Sequence, residues 1–169
     1  SIGTPPSYLS DTLITDYNDL ASIERLVHEN KIDLAAIIVE PIQSRQPSVD
    51  VVKTLRLLRR LCDDYNIVLI FDEVLIGFRC HYQSSYGYFA VKSDLSTYGK
   101  IIGGGLPIGA VAGNADILNL VDGGAWYQST EAPSDQRIFF AGTFNKNPLT
   151  MVCCHQVLSY ILNDKGRIQ

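Results

Sequence analysis

The chain has 169 residues, of which 46% are hydrophobic and 19% charged, the proportions of a globular domain large enough for one real core. A net charge of −4, with no basic cluster longer than "RLLRR" at positions 56–60, excludes the positive footprint of a nucleic-acid-binding protein. No apolar run reaches about 18 residues and no basic-then-apolar leader opens the chain, so neither a membrane span nor a signal peptide is expected.

The opening "SIGTPPSYLSD" reads as a loop entering a domain. Leu20, Ile23, Leu26 and Val27 then fall at helical spacing behind Asn18 and Asp19, either of which can accept the first free N–H groups of a helix. "LAAIIV" is a short apolar strand ending at Glu40-Pro41. Behind Asp50, the residues Val51, Leu55, Leu58 and Cys62 mark a second amphipathic helix with a basic outer face, which leads into the apolar strand "IVLIF". Unbroken apolar strands separated by a helix are the pattern of a parallel sheet covered on both faces, so the fold class is α/β. "GFRCHYQSSYGYFAVKSD" is expected to be a polar and aromatic loop, and "LSTYGKIIGGGLPIGAVAG" to hold two short strands around a Gly-rich turn. Near the end Pro148 opens a helix whose Leu149, Val152, Cys153, Gln156, Val157, Tyr160 and Ile161 share one broad face, with Gly166 as its stop.

Cys62, Cys80, Cys153 and Cys154 lack C-x-x-C spacing, which argues against structural zinc and against a disulfide framework, and fits a reducing cytoplasm. His28, His81 and His155 are scattered without metal-ligand spacing, so no metal is expected. The chain starts at Ser1 and its one methionine is Met151, which suggests a piece of something longer.

"VLIFDEV", Val68–Val74, puts two carboxylates at the end of an apolar strand, as the Mg²⁺-holding strand of a P-loop ATPase does. That chemistry needs a G-x-x-x-x-G-K-[ST] loop, whose N–H groups and lysine cradle phosphates. Here Lys100 precedes the glycines, no Lys-Ser or Lys-Thr follows them, and the loop lies C-terminal to the carboxylates. A lysine just after a strand, beside glycines that admit close approach, instead suits a Schiff-base site with room for a flat cofactor. In pyridoxal phosphate chemistry a strand-end carboxylate such as Asp72 would pair with the pyridinium nitrogen and keep it protonated. Glu73 is expected to be structural, pairing with Arg79.

"IIVEPIQ", "LIFDEVLIGFR", "TYGKIIGGGLPIGAVAG" and "FFAGTFNKNPL" together resemble the central segment of the class III aminotransferases, most closely the glutamate-1-semialdehyde aminomutase branch, over roughly residues 34–158. The resemblance implies part of the large domain of a fold-type I pyridoxal phosphate enzyme, spanning residues 1–169 and incomplete at both ends. It implies that Lys100 carries the cofactor and later moves the proton, that Asp72 holds the ring nitrogen, and that Val74 packs on one ring face. Thr143 would reach the cofactor phosphate of a neighbouring subunit, which implies a homodimer with shared sites; Glu40 would lie near the substrate. Leu75 stands where many members have a glutamine, a departure that the aminomutase-like branch shares.

"EPIQSRQPSVD" and "VDGGAWYQSTEAPSDQRIFFAGTF" look more like the aminotransferase domains of modular polyketide and nonribosomal peptide synthases, whose acceptor is a β-keto acyl chain on a carrier protein. The expected reaction is amino transfer from a donor to such an acceptor, with a free-standing aminomutase-like enzyme as the alternative. "STEA", residues 129–132, lacks the glycine of a phosphate loop and falls after the lysine, and Trp126 is expected to pack on its own loop. The resemblance places the phosphate-binding loop, the stacking aromatic and the small domain outside these residues, so the isolated stretch is expected to bind cofactor weakly or not at all. A P-loop ATPase fragment and a non-catalytic remnant serving as a docking element are the readings from other classes.

Overall fold

The computed structural model describes residues 3–47, 50–122, 138 and 140–164. Helix α1 (Leu20–Asn30) begins behind Asp19, whose carboxylate accepts from the Ser22 backbone N–H at 2.9 Å and from its hydroxyl at 2.7 Å. Its Ile23 and Val27, one turn apart, point into the core. Strand β1 (Ala36–Val39) follows, then α2 (Val52–Tyr65), at whose start the Asp50 carboxylate accepts from Val52 N at 3.2 Å. Asn66 ends α2 in the left-handed conformation, φ 56°, and its N–H reaches the Cys62 carbonyl. Two residues later begins β2 (Val68–Asp72), and further on come β3 (Leu95–Gly99) and β4 (Gly109–Gly113).

The sheet has four strands in the order β1-β2-β3-β4. β1, β2 and β3 are parallel, with Val39 beside Phe71 and Asp72 beside Thr97. β4 returns antiparallel to β3, pairing Gly109 with Gly99. The α/β class and the mostly parallel sheet agree with the sequence expectation. Among the described residues, cover on both faces does not. Leu55 and Leu58 of α2 and Ile23 and Val27 of α1 meet Val39, Leu69 and Phe71 in one cluster, so both helices lie on the same face. Leu55 and Leu69 are 0% exposed. Burying side chains of this size contributes about 1.5–3 kcal/mol each. On the other face Ile38 is 66% exposed, and every residue of β4 is exposed. An apolar run shows that a strand tolerates cover on both sides; it does not say which segment supplies the cover.

The aromatic stretch read as loop contains helix α3 (Ser84–Phe89), and a further helix, α4 (Ala115–Asp122), follows β4. Helix α5 (Pro148–Asn163) has Pro148 in its first turn, and Asn147 caps it by accepting from Leu149 N at 3.1 Å and Thr150 N at 3.2 Å. Its expected apolar face is only partly used. Ile161 is buried, whereas Leu149, Val152 and Tyr160 are exposed. Val157 and Cys153 pack on Gly104, in the turn after β3, so closely that a Cβ there would lie 3.1 Å from Val157 Cγ2. Gly166, Trp126 and "STEA" lie outside the described residues. Among the described residues no helix is long and apolar enough to cross a membrane, and no group of three or more His, Cys, Asp or Glu is placed to hold a metal.

Candidate functional site at the carboxyl ends of the parallel strands

Three adjacent parallel strands end side by side, and each delivers one of the expected site residues. Glu40 follows β1, Asp72 is the last residue of β2, and Lys100 follows β3 directly. The carboxyl ends of parallel strands are where α/β sheets build ligand sites, because the chain leaves there in loops free to vary.

Asp72 is held on one side only. Its Oδ1 accepts from Val74 N at 3.1 Å and from the Thr97 hydroxyl at 3.2 Å, while Oδ2 has no hydrogen-bond partner among the described residues. The carboxylate is thus oriented with one acceptor left over. Thr97 did not figure among the expected residues, although it sits directly opposite Asp72 in the register.

Val74 lies over Gly99, the residue before the lysine. A Cβ on Gly99 would come within 3.3 Å of both Val74 Cγ1 and the Ile108 carbonyl, so this position admits glycine for close packing. Lys100 itself has φ 46°, a left-handed conformation that costs a non-glycine residue on the order of 1–3 kcal/mol. It opens a short 3-10 turn, Lys100–Gly103, and its side chain is exposed. The glycines that follow serve the turn, with Gly104 at φ 58° and Gly105 at φ 99°.

Glu73 is buried, and Arg79, its expected partner, is not among its hydrogen-bond partners. It is 2% exposed, and its carboxylate accepts from the Ser84 hydroxyl, from Ser85 N at 2.8 Å and from the Tyr98 hydroxyl at 3.4 Å. Arg79 turns away, and its Nε donates to the Leu75 carbonyl at 2.6 Å. A buried carboxylate takes partners within reach of its own pocket, and an exposed guanidinium six residues on is not among them. Burial, and next to it the Glu73 charge, push the Tyr98 phenol above its ordinary range, so it stays a hydrogen-bond donor.

Glu40 accepts from the Ser44 hydroxyl at 3.3 Å. It borders a cavity of about 550 Å³ between residues 11–17, α1 and β1, whose wall includes Leu13, Leu26 and Ile37 and none of Asp72, Val74 or Lys100. Thr143 is exposed on the turn leading into α5.

An oriented carboxylate with a free oxygen, an exposed amine on the neighbouring strand end and a close-packed valine suit a flat cationic heterocycle that also carries an aldehyde. The chemistry of this donor set therefore fits pyridoxal phosphate.

The class-III aminotransferase family model matches residues 7–167, and the chain belongs to that family, whose members use pyridoxal phosphate. Among its relatives is a glutamate-1-semialdehyde 2,1-aminomutase from Cytophaga hutchinsonii, 40% identical over 162 residues that cover 95% of this chain and 35% of that protein. Among solved structures, an omega-transaminase from Sphaerobacter thermophilus superimposes with a TM-score of 0.83 at 36% identity, covering 95% of this chain and 35% of that one. A transaminase solved with PLP bound gives a TM-score of 0.80 at 26% identity, covering 95% and 36% respectively. The chain thus spans about a third of the length of the curated relatives it matches.

Proposed function

We propose that this chain is the central part of the large domain of a pyridoxal phosphate-dependent enzyme that moves an amino group to a keto or aldehyde carbon, in the manner of glutamate-1-semialdehyde aminomutase. The observation that carries this reading is the placing of Asp72 and Lys100 at adjacent parallel strand ends, with Asp72 Oδ1 fixed and Oδ2 without a partner among the described residues. When bound, pyridoxal phosphate supplies an electron sink for the carbanion left by proton loss.

The residues of the chain do the rest. Lys100 would hold the cofactor through Nζ and, once a donor amine took its place, would serve as the base that moves the proton between the donor and acceptor carbons. Asp72 Oδ2 accepts the hydrogen bond of the ring nitrogen and favours its protonated form. Val74 packs on one ring face and keeps water from it. Glu40 stands near the substrate, and Thr143 contacts the cofactor phosphate of a second subunit, so the assembly is a homodimer with shared sites. A cytoplasmic setting belongs to the same reading, supported by four free cysteines.

The relatives favour the aminomutase-like acceptor over a carrier-bound β-keto acyl chain. The latter rests on two sequence stretches, and most of the second lies outside the described residues.

The test uses the protein as its gene encodes it. Titration with pyridoxal phosphate, borohydride reduction and peptide mass spectrometry should place the cofactor on Lys100. Lys100→Ala should abolish that link and lower turnover of glutamate-1-semialdehyde by about 10²–10⁴-fold, the usual worth of a positioned proton-transfer group. Label on another lysine, or none, would sink the assignment. Labelled Lys100 with no turnover of the semialdehyde, but turnover of a carrier-bound keto thioester, would move the reading to the synthase-borne reaction.

A further inference from the structure

The neighbouring carboxylates of "DE" divide between two tasks. Successive residues at a strand end face opposite ways, and here Asp72 meets Thr97 while Glu73 meets α3 and Tyr98. We infer that Glu73 is a positioning residue for Lys100, acting through Tyr98. This rests on the reading of Lys100 as the cofactor-bearing lysine.

The contacts close into a ring. Glu73 accepts from the Ser84 hydroxyl and Ser85 N at the start of α3. The Ser84 oxygen in turn accepts from Phe78 N at 3.3 Å. The Phe78 ring packs on the Tyr98 ring, centroids 5.2 Å apart, and Tyr98 returns to Glu73 through its hydroxyl at 3.4 Å. Gly77 fills the middle: its N–H donates to the Glu73 carbonyl at 2.8 Å, and a Cβ there would meet that carbonyl at 2.7 Å and Tyr98 Cδ1 at 2.9 Å. No side chain larger than hydrogen fits between them.

Tyr98 is two residues before Lys100, in the strand that the lysine directly follows. Of the six non-glycine residues with positive φ among those described, Phe78 and Ser84 sit on this ring and Lys100 two residues after it. Backbone in sparsely populated conformations persists only where its surroundings over-determine it, and such residues cluster at functional sites. The buried Glu73 ring supplies that constraint. It clamps the loop between β2 and α3 onto β3 and fixes the strand end from which the lysine leaves. Asp72 and Lys100 are thereby held in one frame from opposite sides of the "DE" pair.

The test compares Glu73→Gln and Tyr98→Phe with the unaltered protein as its gene encodes it. Acetic anhydride labelling of the cofactor-free protein, followed across pH by mass spectrometry, gives the reactivity of Lys100 relative to the exposed Lys53 in the same digest. Release of bound pyridoxal phosphate is followed by absorbance, and the thermal midpoint by calorimetry. Both variants should change the Lys100/Lys53 ratio by about threefold or more and speed cofactor release on the order of tenfold, as small displacements of a reacting group do.

A lower thermal midpoint with an unchanged ratio and unchanged release would mean that the ring is only structural, and would overturn the inference. If Glu73→Gln does not fold, Tyr98→Phe decides alone, since it removes one oxygen from the edge of the ring; an unchanged ratio there overturns it as well. If the unaltered protein carries no cofactor on Lys100, the functional reading fails by that result, and with it the role given to Glu73, whereas failure of Glu73 alone leaves the link on Lys100 intact.

Discussion

Thr97 Oγ1 donates a 3.2 Å hydrogen bond to Asp72 Oδ1 across the β2/β3 pair, at the position where the two residues are register partners. The strand register thus determines which way the carboxylate turns. Thr97→Val keeps the shape and removes the donor. A hydrogen bond to a charged group contributes about 1.5–3 kcal/mol, and Val74 N remains as the second donor, so the low end applies. Pyridoxal phosphate affinity should fall roughly tenfold, since 1.4 kcal/mol is a factor of ten. Titration of the variant measures it, and an affinity equal to that of the unaltered protein would show that Val74 N orients the carboxylate alone.

Gly99→Ala tests the packing of Val74 against the strand end. Gly99 is extended, φ −169°, so alanine meets no backbone strain, only the 3.3 Å approaches of Val74 Cγ1 and the Ile108 carbonyl. Overpacking of this kind costs about 1–3 kcal/mol. Thermal denaturation should show that loss, and Val74→Ala in the same chain should recover part of it by making room. A full, unrecovered loss would place the clash at Ile108 instead.

Alkaline pH should destabilise the fold through Cys62. Burial pushes this thiol from 9.0 up to about 11. Between those values the unfolded chain has lost the proton while the native state still holds it, so stability falls as pH rises through that window and is unaffected below it. Tyr17, whose phenol burial also raises, adds a loss of the same sign at higher pH. Denaturation midpoints measured from pH 8 to 11 should decline, and Cys62→Ala should flatten the slope. The same slope in Cys62→Ala would assign the decline elsewhere. Iodoacetamide should modify Cys62 far more slowly in the native protein than in urea.

The α/β class and the four strands were legible because their apolar runs are short and bounded by polar or Gly-rich turns, which admits few alternatives. α1 was legible from its cap, Asp19, together with its apolar spacing. α3 was not, because Tyr86 and Tyr88 lie exposed and Gly87 interrupts the pattern, so no single apolar face marks it. The pairing of Glu73 was misread for a related reason. Sequence distance makes Arg79 an obvious partner, but Ser84 and Tyr98 become neighbours only once the loop folds back on β3.

By itself the sequence determined the chemistry available to this protein: a carboxylate closing one apolar strand, a lysine closing another and glycines after it. These are local facts, set by residue type and spacing, and they sufficed to point to a family. Tertiary structure alone decided that β2 and β3 lie side by side with Asp72 opposite Thr97, that one oxygen of Asp72 has no partner among the described residues, and that Glu73 faces the other way. The reason is physical. Strand pairing and the closing of the Glu73 ring depend on contacts between residues far apart in the chain, whose free energy appears only when the whole sheet edge has formed.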